Sequence, residues 1–277
     1  MSATADVAPY VALLKPSKLF RLFGAFALAM VAALPLSWQD LKIVAVAVVA
    51  GCIIAAGANA LNMFTDRDLD ARDPRTADRP LPAGKVRPWA ALAIALGLIA
   101  IGAAVLWVET GSRPVVFVLA VVALYAAIYA RLKRSTRYYT LVGGAIWAAP
   151  IPALWLALGR PIGGAPMGAF AVAAIWTALH VWSTALVHGG AAEAAPRFLP
   201  SVSGPQVTRF SVLALTGVLA LIVAAIGLRP MLPFIAFLMA AAGLSLRMQT
   251  IRADRWVTGA AMVFIAAFIV VTAAYKM

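Results

Sequence analysis

The stretch IVAVAVVAGCIIAAGANALNMFTDRDLDARD, Ile43 to Asp73, runs from an unbroken apolar segment directly into a row of carboxylates. About 20 apolar residues are enough to cross a bilayer core as a helix, and residues 42–65 supply that length. Asn62, Asp66 and Asp70 follow one another at intervals of four. A helix that continues past the apolar run turns about 400° at each of these steps, so all three side chains share one slowly drifting face. Asp68 lies about 200° around from Asp66 and points elsewhere. The stretch therefore predicts a membrane-spanning helix with a polar site at its end.

The apolar pattern recurs along the chain. With 64% hydrophobic and 12% charged residues over 277 positions, and a mean hydropathy of +0.95, the composition lies outside the range of ordinary soluble domains. Runs of spanning length fall near 19–37, 42–65, 89–107, 114–130, 138–158, 165–187, 208–227, 230–246 and 256–275. None shows the alternation of an outer-membrane barrel strand. The expected fold is all-α: a polytopic membrane protein of nine transmembrane helices. No long polar linker divides the chain, so residues 1–277 are expected to form a single membrane-embedded domain. The segment before the first run lacks a cleavage pattern, so no removable signal peptide is expected. Cys52 is the only cysteine, which excludes an internal disulfide; within the second run it reads as a small packing residue.

A net charge of +13 invites a nucleic-acid reading, but the placement of the basic residues argues otherwise. With the N-terminus in the cytoplasm, eighteen of the 23 Lys and Arg residues fall in inside segments. That is the bias of the positive-inside rule, with contact to anionic membrane lipids. Nucleic acid is not needed as a partner.

Topology asks for basic residues and does not explain acids, yet five of the ten acidic residues lie between Asn62 and Val86. A carboxylate near the bilayer is costly unless it is paired, hydrated or metal-bound. Two carboxylates and an amide are hard oxygen ligands that suit Mg²⁺, an ion that binds through one or two carboxylates, waters and substrate phosphates. The alternative is a plain charged loop in which Asp66–Arg67 and Asp78–Arg79 neutralise each other in water. Two further stretches favour a site. TADRPLPAGKV (76–86) supplies Arg79 and Lys85 on a proline-stiffened turn, and YARLKRSTRYY (129–139) supplies Tyr129, Lys133, Arg134 and Arg137 on the same expected side.

The Asn-x-x-x-Asp-x-x-x-Asp pattern at 62–70, followed by RTADRPLPAGKV (75–86) and nine expected spans, resembles the UbiA superfamily of intramembrane prenyltransferases. Within it, YARLKRSTRYYTLVGG (129–144), AAPIP (148–152), WTALHVW (176–182) and RFLPSV (197–202) are most similar to the heme-type branch, the protoheme farnesyltransferases. The resemblance implies a UbiA-type helical bundle with a central cavity, in a bacterial-type inner membrane, with the active site on the cytoplasmic side. It also implies Mg²⁺ as cofactor, a polyprenyl diphosphate donor with farnesyl favoured, and a hydrophobic acceptor such as heme. Asn62, Asp66 and Asp70 match the first metal motif. Tyr129 and Lys133 match a Tyr-x-x-x-Lys element that contacts the diphosphate, Arg79 matches the basic residue of the following loop, and Arg134 and Arg137 join the substrate-binding set.

The chain departs from the pattern after the sixth span. There LVHGGAAEAAPRFLP (186–200) carries Val187 and Ala191 where a second acidic motif is expected, leaving Glu193 and His188 as nearby coordinating groups. His180 matches a heme-branch histidine, although Ala-Leu-His-Val-Trp lacks the branch's prolines. It reads either as a packed or cavity-lining imidazole or as an acceptor contact. Gly143–Gly144 reads as a close helix contact, and Trp38, Trp89, Trp107 and Trp256 as interface anchors. Three functions stand open: prenyl transfer to protoheme, prenyl transfer to an aromatic, quinone-precursor or polar acceptor, and non-catalytic binding or transport of a prenyl-phosphate lipid.

Overall fold

The computed structural model describes residues 7–15, 36–74, 76–188 and 197–275, and every regular element among them is helical. A short helix α1 (Ala8–Leu14) precedes eight helices long and apolar enough to cross a membrane: α2 (Trp38–Asp70), α3 (Pro88–Thr110), α4 (Ser112–Ser135), α5 (Tyr139–Ala157), α6 (Gly164–Val187), α7 (Leu199–Ala225), α8 (Arg229–Met248, opening with a 3-10 turn) and α9 (Ile251–Tyr275). They account for eight of the nine expected spans. The first expected span, 19–37, falls almost wholly outside the described residues.

The described residues divide into two compact units. The first holds those up to Arg131 together with 153–161, and the second holds 132–152 and 162–275. In the first unit, α2 starts at a capping box in which the Ser37 hydroxyl accepts from the Asp40 amide at 3.1 Å and Asp40 Oδ2 accepts from the Ser37 amide at 2.9 Å. Its 33 residues extend about 50 Å at 1.5 Å per residue, well beyond a hydrocarbon core of about 30 Å. The surplus is the acid-bearing end.

Small residues bring α2 and α3 together. A Cβ added at Gly57 would stand 2.7 Å from the Ala95 carbonyl oxygen, and one at Gly102 would stand 2.9 Å from that of Ala50. Where lipid is as apolar as the side chains, such backbone approach is what drives helix association. The segment between these helices folds back onto them: Leu81 and Val86 are buried with Leu13 of α1, Ala60 and Met63 of α2, and Ala91 and Ala95 of α3. α4 contains a π-helical segment, Leu124–Tyr129, that packs against α2.

In the second unit α5 packs on α6, with Gly144 against the Ala174 carbonyl at a distance that leaves no room for a Cβ. The expected close contact at Gly143–Gly144 is thus located at Gly144. α7 breaks at Gly204 (φ +77) and restarts at Pro205, whose fixed φ suits a first helical turn. Arg209 of α7, Asp254 of α9 and Ser245 of α8 form a buried network. Arg209 Nε and Nη2 donate to the two Asp254 oxygens at 2.9 and 2.7 Å, and the Ser245 hydroxyl donates to Oδ1 at 2.5 Å. Trp38, Trp89, Trp107 and Trp256 are all exposed near helix ends, as interface anchors are.

Candidate active site

The last turns of α2 place Asn62, Asp66 and Asp70 on one buried face, with 5%, 4% and 4% of their surface exposed. Asp68, between them in sequence, has 71% of its side chain exposed and lies 3.8 Å from Arg67. The fourfold spacing thus separates buried acids from solvated ones as the helical period requires. A carboxylate at a helix C-terminus also meets the negative end of the helix dipole, so this is a place that attracts cations.

One cation is already there. Arg79 Nη1 donates to both Asp70 oxygens at 2.8 Å. The intervening turns make that possible: the Thr76 hydroxyl donates to the Asp70 carbonyl at 2.9 Å, and the amides of Thr76 and Ala77 donate to the Asp73 carbonyl at 2.9 Å. The amide of Ala83 then donates to the Arg79 carbonyl at 2.9 Å, closing the next turn. Sequence reasoning missed Thr76 and the anchoring role of Leu81 and Val86. Two apolar side chains inside an otherwise polar loop were the available signal.

Asn62 Oδ1 is buried and has no hydrogen-bond partner among the described residues. A buried amide oxygen without a donor is costly, and it lies on the face that carries the two carboxylates. No cluster of three His, Cys, Asp or Glu side chains exists among the described residues. The donor set is therefore two carboxylates and an amide, which fits a hard ion completed by water and ligand oxygens.

Residues 22–274 match the model of the UbiA prenyltransferase family. The chain belongs to that family. It is 34% identical over 239 residues to the protoheme IX farnesyltransferase of Methylobacterium sp. (strain 4-46), covering 83% of this chain and 71% of that protein. It is 35% identical over 193 residues to the protoheme IX farnesyltransferase of Gluconacetobacter diazotrophicus, covering 68% of this chain and 59% of the relative. The match thus spans about three fifths of that relative's length. Among solved structures, a UbiA homolog from Archaeoglobus fulgidus bound to GPP and Mg²⁺ aligns with a TM-score of 0.64 at 16% identity, covering 96% of this chain and 99% of that one. A digeranylgeranylglyceryl phosphate synthase aligns with a TM-score of 0.74 at 11% identity, covering 98% and 99%. These likenesses establish the UbiA fold, and with eight apolar helices they make the chain an integral membrane protein.

The other site residues anticipated from the UbiA pattern are placed as follows. Tyr129 is buried at the end of the π segment, its ring 5.5 Å from that of Tyr125. Lys133 and Arg134 occupy the last turn of α4. Arg137, in the second unit, donates to the Ser203 hydroxyl at 3.1 Å and lies over the Tyr138 ring. His180 stacks on Trp176 with centroids 5.0 Å apart and planes 5° apart, and Trp176 is fixed by a 2.7 Å bond from Nε1 to the Ala261 carbonyl. His180 Nδ1 is buried without a hydrogen-bond partner among the described residues. His188 is exposed beyond the end of α6. Glu193 and Ala191 lie outside the described residues.

Proposed function

We propose that this chain is a Mg²⁺-dependent prenyltransferase that moves a farnesyl group from farnesyl diphosphate to protoheme, the whole chain working as one membrane-embedded domain. The observation that carries this reading is the buried Asn62, Asp66 and Asp70 face with its orphaned amide oxygen. The names of the 34–35% identical relatives support the donor and the acceptor. The GPP and Mg²⁺ bound to the Archaeoglobus homolog support the class of donor and the metal.

Asn62, Asp66 and Asp70 would hold the metal, which supplies charge neutralisation to the departing diphosphate. Arg79 and the Tyr129 hydroxyl contribute donors for its oxygens, and the sequence pattern assigns Lys133, Arg134 and Arg137 to substrate binding. The allylic C1–O bond breaks with its electron pair leaving on the diphosphate, the electron-rich acceptor gives a π pair to form the new bond to C1, and the positive charge left on the acceptor is discharged by loss of a proton or addition of one water. No side-chain nucleophile takes part. Apolar helix walls exclude the water that would otherwise capture the allylic cation. His180, held flat on Trp176, and Glu193 are assigned to the acceptor. The basic-residue bias supports a cytoplasmic N-terminus with the site on the same side.

The test incubates the purified protein with Mg²⁺, a ladder of polyprenyl diphosphates and a set of acceptors including heme, and identifies products by mass. Farnesylated heme, with diphosphate release lost in Asp66→Asn/Asp70→Asn, is the expected result. Release that survives the double substitution overturns the site. Release without prenylated heme moves the acceptor to another class.

A further inference from the structure

We propose that Arg79 is a resident counter-ion that occupies Asp70 until the donor arrives with its metal, and that its guanidinium then passes from the carboxylate to the diphosphate. This rests on the donor and metal assigned above, and goes beyond them in giving Arg79 two successive partners and in fixing how metal and donor binding are coupled.

Three features of the first unit carry the inference. The Asp70 side chain is 5% exposed whereas that of Arg79 is 34% exposed, so the pair is closed on the acid side and open on the cation side. One terminal nitrogen makes both contacts, and a guanidinium has five N–H donors. Arg79 therefore has donors to offer an arriving anion before it gives up the carboxylate.

The backbone that carries Arg79 does not depend on the ion pair. Thr76 bonds to the Asp70 carbonyl, Ala83 bonds to the Arg79 carbonyl, and Leu81 and Val86 are buried against Ala60 and Met63. An exchange of partners thus needs only a side-chain rotation, with the turn itself left in place.

The third feature is the donor set. Asn62 Oδ1 is buried without a hydrogen-bond partner among the described residues, while both oxygens of Asp70 already accept from Arg79. A bare divalent ion must compete with the guanidinium already bonded to Asp70, which sets two positive charges against one carboxylate. An ion arriving on a diphosphate brings a new anionic partner for the displaced guanidinium. Metal and diphosphate should therefore bind with positive coupling, and by linkage each raises the affinity for the other by the same factor.

The experiment uses full-length protein in detergent, with Mn²⁺ alone and with farnesyl thiolodiphosphate, an analogue slow to ionise, read by calorimetry and by the Mn²⁺ electron-spin-resonance signal. In the wild type, bound thiolodiphosphate should raise Mn²⁺ affinity at least about fivefold, the lower end of typical coupling. Arg79→Gln should tighten bare Mn²⁺ and weaken the thiolodiphosphate, so the coupling collapses. Arg79→Lys keeps a point charge without the planar fork and should fall between the two, which retains a readout should the Gln variant fail to fold. An Arg79→Gln protein that binds both ligands more weakly, or binds bare Mn²⁺ as the wild type does, overturns the exchange while leaving the site intact. A wild type that binds neither ligand overturns the exchange and the site together.

Discussion

Replacing Arg209 by Met is expected to destabilise the second unit far more than its loss of contacts suggests. Asp254 is fully buried and accepts three hydrogen bonds, two from Arg209 and one from Ser245. Removing the guanidinium leaves a carboxylate with one hydroxyl and no access to water. Breaking a buried pair from one side in this way costs about 3–5 kcal/mol. Ser245→Ala removes one hydrogen bond to a charged group, about 1.5–3 kcal/mol. The double variant Arg209→Met/Asp254→Leu keeps similar volume without any charge, and such replacements are neutral to stabilising by about 1–4 kcal/mol. The double variant should therefore be more stable than either single one. Unfolding by SDS from mixed micelles, followed by tryptophan fluorescence, of wild type, Arg209→Met, Asp254→Leu and the double variant gives all four corners of the cycle. An Arg209→Met protein within about 0.5 kcal/mol of wild type would refute the reasoning, since that is the effect of an ordinary surface change. A double variant as unstable as the sum of its parts would also refute it.

Gly144→Ala should destabilise, because the new methyl meets the Ala174 backbone carbonyl, which cannot rotate away. Gly97→Ala, with nothing within 4 Å of its Cβ, should gain about 0.5–1 kcal/mol of helix stability; the same SDS unfolding reads both, and equal signs would contradict the packing. Leu81→Ala removes a buried anchor of the turn that carries Arg79, at about 2–5 kcal/mol, and should lower thiolodiphosphate affinity in calorimetry; unchanged affinity would mean that the turn is held without it. His180→Ala should weaken heme binding in a Soret titration while leaving donor binding unchanged. The reverse pattern would remove His180 from the acceptor site.

Eight membrane helices and the buried acid face are legible in the sequence because both rest on local periodicity. A run of about 20 apolar residues needs no tertiary information, and the interval of four between Asn62, Asp66 and Asp70 fixes their common face in any helix. What periodicity does not encode is the partner of each charge. Adjacency suggests Asp78 for Arg79, but the turns after α2 carry Arg79 back nine positions to Asp70. Nothing near Asp254 in sequence points to Arg209, 45 residues away. The π segment before Tyr129 is likewise announced by no local pattern, whereas the break at Gly204 has a local signal in the Gly204–Pro205 pair.

The two buried Asp–Arg pairs share their chemistry, and water access separates them. Both carboxylates are at most 5% exposed, since an acid among apolar helices must hold a cation whichever role it serves. Arg209 is 8% exposed, so no outside anion reaches it, and its pair acts as a clasp among α7, α8 and α9. Arg79 is 34% exposed, so the same bond can be traded for another. A buried acid by itself therefore does not distinguish a structural pair from a functional one. The exposure of the cation beside it does, and that quantity exists only once the chain has folded.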